Sequence, residues 1–402
     1  MKILHVFYST LPNSKGGDIR SRDVVESQLE VGLDVLAVSS PFQPPAVAGM
    51  AVEEFGGVRY FRTYSEAAKL HVSESDQGLG VKLKKLAKIF KLAGFVHDLA
   101  SREKVSFVHA HSTFFCAAAA YYASRRLGVP FLYEVRSLWE ERAVMKAPTL
   151  KNRFIAGVIR LAETAAMRAA DHVVVISEGL KAEALVRGVP ASRITVVGNG
   201  ASLSRIPKVE PTVLQKASND FVFGYIGSLS EIEGLDLLLD SVRRLREEGW
   251  ENKVVIYGDG PAKDQLVRLA KGIPGVEFKG AFAPADAAKI YQEVDVVVNP
   301  RRRSRLTDRV TPLKPLEAMA YRKPVIVSSV EGMLELVKDG VTGFVFESDN
   351  SGSLKEVLKQ VTDSPERLER VVCDAYEFVS ANRSWRSNGI KYKRLYESLI
   401  AA

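Results

Sequence analysis

The order in which apolar strands and polar helices alternate restricts the fold of this chain more than any other feature. Ile3–Tyr8 is an apolar run that leads into a loop containing Gly16-Gly17. A helical stretch from about Asp18 to Gly32 follows, and a second strand, Asp34–Ser39, comes directly after it. Strand, loop, helix, strand is a βαβ unit, because parallel neighbours need a crossover helix between them. The pattern continues through strands at Ser106–Ser112, Pro130–Arg136, Asp171–Ile176 and Ile194–Val197, with helices at Phe114–Arg126 and Leu150–Ala169 among the connections. Residues 203–219, with Pro207 and Pro211 and little periodicity, read as a linker. The rhythm then restarts with Phe221–Ile226, a helix Gly234–Glu248, Lys253–Tyr257, Val276–Gly280, Val294–Asn299, Pro324–Val327 and Phe344–Phe346, and ends in a helical tail. This predicts an α/β chain of two Rossmann-like domains with parallel sheets facing a central cleft, and 402 residues suffice to build both.

Several function classes fall away on inspection. Neither half carries G-x-G-x-x-G after its first strand. Gly258-Asp259-Gly260 begins such a motif, but Pro261-Ala262-Lys263 does not complete it, so a dinucleotide-dependent dehydrogenase is not expected. No G-x-x-x-x-G-K-[ST] occurs either. His109 and His111 share one face of their strand, yet no third ligand stands at metal spacing, and a zinc site is rejected. Cys116 and Cys373 lie far apart, which suits a reducing, cytoplasmic setting. The longest apolar run, Phe114–Ala123, is too short to span a bilayer, and Met1–Tyr8 reads as a first strand rather than a targeting segment. The net charge of +8 favours an anionic partner. From 73 to 104, Lys82, Lys84, Lys85, Lys88 and Lys91 alternate with Leu83, Leu86, Ile89, Phe90 and Phe95. That segment is either an ordinary docked helix with a wet lysine face or a peripheral contact with an anionic membrane.

The stretch from Pro300 to Ala320 concentrates charge at a strand-to-helix junction. Five arginines, among them Arg301, Arg305 and Arg309, precede Thr311-Pro312, which reads as a helix start with a hydroxyl cap, and Pro315 must still fall in the first turn. A helix end and cations suit phosphates, while Glu317 one turn inside suits ribose hydroxyls. Nucleic acid is not expected as a partner, since no aromatics interleave with the arginines.

Taken together, Gly16-Gly17, Val108–Ser112, Tyr133–Glu140, Ser177–Leu180, Val197–Gly200, Tyr225–Gly227, Glu233–Leu239, Gly258–Pro261 and Pro315–Ala320 resemble, in order and spacing, the retaining GT-B glycosyltransferases of family 4 (glycosyl transferases group 1), of the bacterial polysaccharide-biosynthesis type. The resemblance implies a first domain 1–205 that holds the acceptor, a second domain 206–380 that holds a nucleotide-sugar donor, and a closing helix 381–402 that crosses back to the first. It implies transfer to a glycan, lipid-linked or other hydroxyl acceptor without metal or other cofactor, in the cytoplasm or at the inner face of its membrane. The alternative is a non-catalytic member that binds nucleotide sugar or glycan.

Three positions depart from the family pattern. Arg309 stands where the first of two acids is usual, with Asp308 beside it. Ser228 and Glu233 replace the customary phosphate-binding arginine and lysine, and Arg136 replaces a histidine. Arg301, Arg305 and Lys314 are therefore assigned to the leaving diphosphate, and Glu317 to the ribose. Gly227, Asp308, Thr311, Leu313, Gly332 and Met333 complete the donor site, with Gly258, Lys279 and Gly280 near the base. Gly16, Gly17, His111 and Arg136 form the acceptor site.

Overall fold

The computed structural model describes residues 1–13, 16–43, 50–64, 79–146, 149–207, 217 and 219–401. It divides into two compact units, Met1–Gly198 with Asn388–Ala402, and Asn199–Ser387. The side chains of Lys82, Leu83, Lys84, Lys85 and Leu86, and linker residues 208–216, lie outside the described residues.

The first unit is built on an eight-stranded sheet. Its strands are β1 (Lys2–Phe7), β2 (Asp34–Ser39), β3 (Val52–Phe55), β4 (Val58–Arg62), β5 (Phe107–His111), β6 (Phe131–Val135), β7 (His172–Val175) and β8 (Ile194–Val196), in the spatial order β3-β4-β2-β1-β5-β6-β7-β8. All neighbours are parallel except the β3–β4 hairpin at the edge. Strands β5, β6 and β7 are buried throughout, as strands covered by helices on both faces must be. The hairpin was not anticipated. Its signal was Gly56-Gly57, both at positive φ (58° and 76°), joining two short runs in the kind of two-residue turn that antiparallel pairs use.

The second unit carries β9 (Val222–Ile226), β10 (Lys253–Tyr257), β11 (Val276–Gly280), β12 (Val296–Asn299), β13 (Val325–Ser328) and β14 (Phe344–Phe346), all parallel, in the order β11-β10-β9-β12-β13-β14. The order reverses at β9/β12 here and at β1/β5 in the first unit. Open α/β sheets bind ligands at such switch points, outside the carboxyl ends of the strands. The sequence regions singled out above follow these strands: Gly16-Gly17 after β1, Gly227 after β9 and Arg301 after β12.

The helix expected to start at Thr311 begins later. Lys314–Ala320 is helical, with Leu313 as its N-cap and Pro315 in the first turn. Thr311 is buried, and its carbonyl accepts from Asn199 Nδ2 at 2.7 Å. A separate short helix, Arg305–Arg309, takes up the preceding residues because Ser304 and Thr307 cap it reciprocally. The final helix, Trp385–Ala401, sends Tyr392 and Tyr396 into the core of the first unit, both fully buried.

Candidate functional site

In the second unit, four glycines in the connections after β9 and β10, all at positive φ, sit where an added Cβ would be crowded. A Cβ on Gly258 (φ 139°) would lie 1.8 Å from the Gly227 carbonyl, and one on Gly234 (φ 65°) 2.0 Å from the Pro300 carbonyl. Gly260 presses likewise on the Leu229 carbonyl. Gly227 (φ 151°) touches Lys314, whose Cε would be 2.3 Å from an added Cβ. Lys314 is thereby pinned over the end of β9. Its Nζ is 2.6 Å from the Tyr225 hydroxyl, 4.6 Å from the centre of that ring, and 2.9 Å from Glu233 Oε2. Arg301 Nε stands 3.6 Å from the same carboxylate.

Glu233 therefore does more than replace an expected cation. Burial pushes its carboxyl up, but Lys314 and Arg301 outweigh that and hold it below its ordinary value. Burial likewise lowers the Lys314 ammonium, against the pull of Glu233. One carboxylate faces two cations, so the cluster keeps a net positive charge. Arg301 Nε and Nη1 are buried with no hydrogen-bond partner, an arrangement that calls for an acceptor not supplied by the described residues. Asn299, at the end of β12, has both amide atoms buried and unpartnered as well. Tyr225 and Asn299 were missed from sequence, where strand residues read as core. Glu233 was noted there only as a loss.

The remaining arginines sort differently. Arg302 pairs with Asp236 and with Asp349 (3.3 Å), and Arg303 bonds Ser348 and the Ser329 carbonyl, so both fasten the loop to its neighbours. Arg305 is exposed at the start of its short helix, and Arg309 ends it half-buried. Asp308 Oδ1 accepts from the Glu331 amide at 3.1 Å. Gly332 packs on the Thr307 and Val310 carbonyls, where a Cβ would come within 2.4 and 2.6 Å. Met333, expected at the donor, is fully buried, so its side chain belongs to the core. Leu313 is half-buried ahead of Lys314. Glu317 is exposed on its helix; the Tyr291 hydroxyl beside it is raised well above its ordinary value, by burial first and then by the Glu317 carboxylate. Lys279 is exposed and paired with Glu277 at 2.6 Å, while the Gly280 carbonyl accepts from the Gly258 amide at 2.7 Å.

The first unit holds a second polar cluster, at the ends of β1, β5 and β6. Register sets His5 opposite His109, and His5 Nδ1 lies 2.8 Å from His111 Nε2. This third histidine was missed by a spacing argument, because only strand pairing brings residue 5 to residues 109 and 111. The three rings are fully buried or nearly so, and burial pushes each imidazole down, His5 to about 4 and the others well below their ordinary value. Their nitrogens are largely committed: His5 also to Gln28 (3.0 Å), His109 to Tyr396 (2.8 Å) and His111 to Arg136 (2.7 Å). Beneath them Glu134 accepts from Arg20 (3.1 Å), Arg136 (2.7 Å) and Tyr392 (2.5 Å). Burial pushes that carboxyl up, but Arg20 and Arg136 hold it well below the carboxylate range. His5, His109 and His111 bring ring nitrogens within 4.8 Å of one another, and with Glu134 held between two guanidiniums they form a buried hydrogen-bond network.

His111, expected to meet acceptor, is buried, with its Nδ1 2.7 Å from Arg136. That arginine bonds Ser21 Oγ (2.8 Å) and the Gly17 carbonyl (3.4 Å), so it braces the start of the Gly16–Glu30 helix. Apart from their own stretch of helix, no described residue comes within 4 Å of a Cβ placed on Gly16 or Gly17.

Residues 15–200 match the family model of a glycosyl transferase 4-like domain, and residues 220–364 that of glycosyl transferases group 1. The chain belongs to the group 1 glycosyltransferases. It is a transferase of GT-B fold. It is similar to alpha-D-kanosaminyltransferase of Streptomyces kanamyceticus, 27% identical over 313 residues that take in 74% of this chain and 78% of that enzyme. It is also similar to the capsular polysaccharide biosynthesis glycosyltransferase CapM of Staphylococcus aureus, 24% identical over 228 residues, 53% of this chain and 58% of that protein. Among solved structures, Anabaena HepE in complex with UDP-glucose superposes with a TM-score of 0.72 over 99% of this chain and 100% of that one, at 18% identity. No helix among the described residues is long and apolar enough to cross a membrane.

Proposed function

We propose that this glycosyltransferase moves a sugar from a nucleotide-diphosphate sugar to a hydroxyl acceptor, with retention of configuration, in the synthesis of a cell-surface glycan or glycolipid. The observation that carries the reading is Arg301: two buried N–H groups without an acceptor, beside Lys314, at the switch point of the second sheet. A diphosphate offers the missing acceptors, and charge-assisted bonds to it outweigh neutral ones. In this scheme Arg301 and Lys314 stabilise the departing diphosphate, with Glu233 holding both cations in place, and Arg305 is a further contact. Glu317 takes the ribose hydroxyls. Gly227, Gly258 and Gly280 let the nucleotide approach the backbone, with Lys279 near the base. Asp308 and Gly332 shape the sugar end of the site through the backbone they brace.

The acceptor belongs to the first unit, at the open surface of Gly16-Gly17. In the transfer, the bond from the anomeric carbon to the phosphate oxygen breaks with its electron pair going to that oxygen. The acceptor oxygen bonds the same face of the carbon, and its proton passes to the leaving phosphate oxygen. No metal or cofactor enters the scheme. The UDP-glucose complex of HepE makes a UDP-sugar the first donor to try, and CapM makes a capsular or related glycan the first acceptor class. Thermal-shift measurements with UDP-, GDP- and ADP-sugars, followed by assays of nucleotide release, test the reading. Stabilisation by one base class and release of that nucleotide are expected. No shift and no release with any donor, even with acceptor extracts present, would sink it.

A further inference from the structure

The helix Leu150–Ala169 in the first unit is amphipathic the wrong way round for a surface helix. Its core-facing line is Ala156, Glu163 and Met167, all buried. At 3.6 residues per turn the opposite pole is formed by Leu150, Phe154, Val158, Leu161 and Ala165, and this pole is apolar. Leu150 is 85% exposed, Phe154 75%, Val158 52% and Leu161 73%. A solvent-facing helix normally carries its charged residues there. The stripe extends about 17 Å from Leu150 to Leu161. Beside it Phe154, Val158 and Leu161 share a groove of about 550 Å³ with the exposed Val186.

The exposed charges on this helix are all of one sign. Lys151, Arg153, Arg160 and Arg168 are exposed. The single acid, Glu163, is buried, where its carboxylate accepts from the Tyr133 hydroxyl (2.5 Å) and the Phe114 amide (3.0 Å). Burial pushes that carboxyl up to about 7, and it sits on the core-facing line of the helix, away from the outer pole. The exposed charges of the helix are therefore all positive and flank large apolar side chains; Arg160 also stands 3.8 Å from the buried carboxylate of Glu183.

We propose that this face docks on the surface of an anionic phospholipid bilayer, the apolar stripe entering the headgroup boundary and Lys151, Arg153, Arg160 and Arg168 meeting lipid phosphates. An interfacial helix needs those two components together, an apolar face for depth and cations for anionic lipid. Two copies of the chain facing each other would set these cations against their own images, a like-charge contact that opposes pairing. The charge of the whole chain, +8, has the same sign as the face. Such docking would hold the transferase beside lipid-borne acceptors.

The test is co-sedimentation of the purified chain with vesicles of phosphatidylcholine alone or mixed with phosphatidylglycerol, at low and high salt. Wild type is expected to bind the mixed vesicles, to bind the zwitterionic ones far less, and to be released by salt. The Phe154→Ser/Leu161→Ser variant removes only exposed side chains and is expected to lose about tenfold or more in partitioning, with an unchanged thermal midpoint. The Arg153→Gln/Arg160→Gln variant should lose its preference for anionic vesicles. Absence of wild-type binding at low salt would overturn the proposal. So would binding that persists unchanged in both variants, which would place the contact elsewhere, or self-association that Phe154→Ser/Leu161→Ser abolishes while vesicle binding is absent. Nucleotide release from donor in free solution is read in parallel. It should not respond to these substitutions, so failure of the docking and failure of the transferase reading remain distinguishable.

Discussion

Lys314 and Arg301 share one buried carboxylate, and the arithmetic of that cluster makes the sharpest predictions at the scale of single residues. Arg301→Ala removes the two donors that lack acceptors, so kcat/KM for donor should fall by about 10²-fold or more. Lys314→Ala leaves Glu233 with one cation fewer in a half-dry site, and about 1–3 kcal/mol of stability should go with the activity. Ser228→Ala should change neither. Steady-state kinetics with the donor found by thermal shift, together with melting curves, would check all three; wild-type turnover in Arg301→Ala would refute the assignment. The buried histidines predict a pH response of known sign. His5 and His172 are pushed down to about 4 by burial, from about 6.5 unfolded, so the unfolded chain binds more protons between those values. Their stabilisation is complete above pH ~6.5 and is lost as pH falls towards 4, at most about 3 kcal/mol for His5. Glu163, raised to about 7, works the opposite way in an overlapping window. It is one group against several histidines, so the midpoint of the first unit should fall on acidification from pH 7.5 to 5. Calorimetry would show this, and a flat profile would contradict the buried neutral network.

At the scale of elements, the proposed donor site rests on strand-end loops closed by crowded glycines. Gly258→Ala drives a Cβ into the Gly227 carbonyl at a positive φ and should cost about 3 kcal/mol or more, or abolish folding of the second unit. Gly280 also has a positive φ, 79°, but nothing lies near its Cβ position, so Gly280→Ala should cost only about 1 kcal/mol. Chemical denaturation of the pair would separate crowding from backbone strain, and equal losses would argue against a packed floor. The short helices beside this floor show what local signals can and cannot decide. Ser304 and Thr307 form a capping pair that starts a helix at Arg305, and that helix uses up the residues before Thr311. Thr311-Pro312 is an equally good start by composition. It lost because Asn199 draws the Thr311 backbone into a buried hydrogen bond, a contact between residues 112 apart in sequence.

The chain as a whole closes on itself through its last helix. Residues Asn388–Ala402 belong with the first unit. Tyr392 bonds Glu134 and Tyr396 bonds His109, Asn388 bonds the Gly198 carbonyl at 2.9 Å, and Gly389 lies where a Cβ would come within 2.1 Å of the Ser27 carbonyl. Truncation after Ser387 strips two fully buried tyrosines from that core, so the first unit should lose cooperative unfolding while 199–387 keeps its own. Limited proteolysis would report this as a surviving fragment of the second unit; an intact first unit would contradict it. The succession of strands and helices was legible in the sequence because short apolar runs and period-3.6 patterns are local, and the family markers ride on the same loops. That Gly17, Gly227 and Arg301 follow strands came from that rhythm; that those strands flank the switch points came from the sheet order. What only the tertiary structure decided is which charges meet. Glu233 reads as a lost phosphate contact until Arg301 and Lys314 are seen around it, and His5 reads as a core residue until β1 pairs with β5. Ion pairs and strand register join residues tens to hundreds of positions apart, and in the low dielectric of a folded interior those distances, rather than the residue types, set charge and protonation.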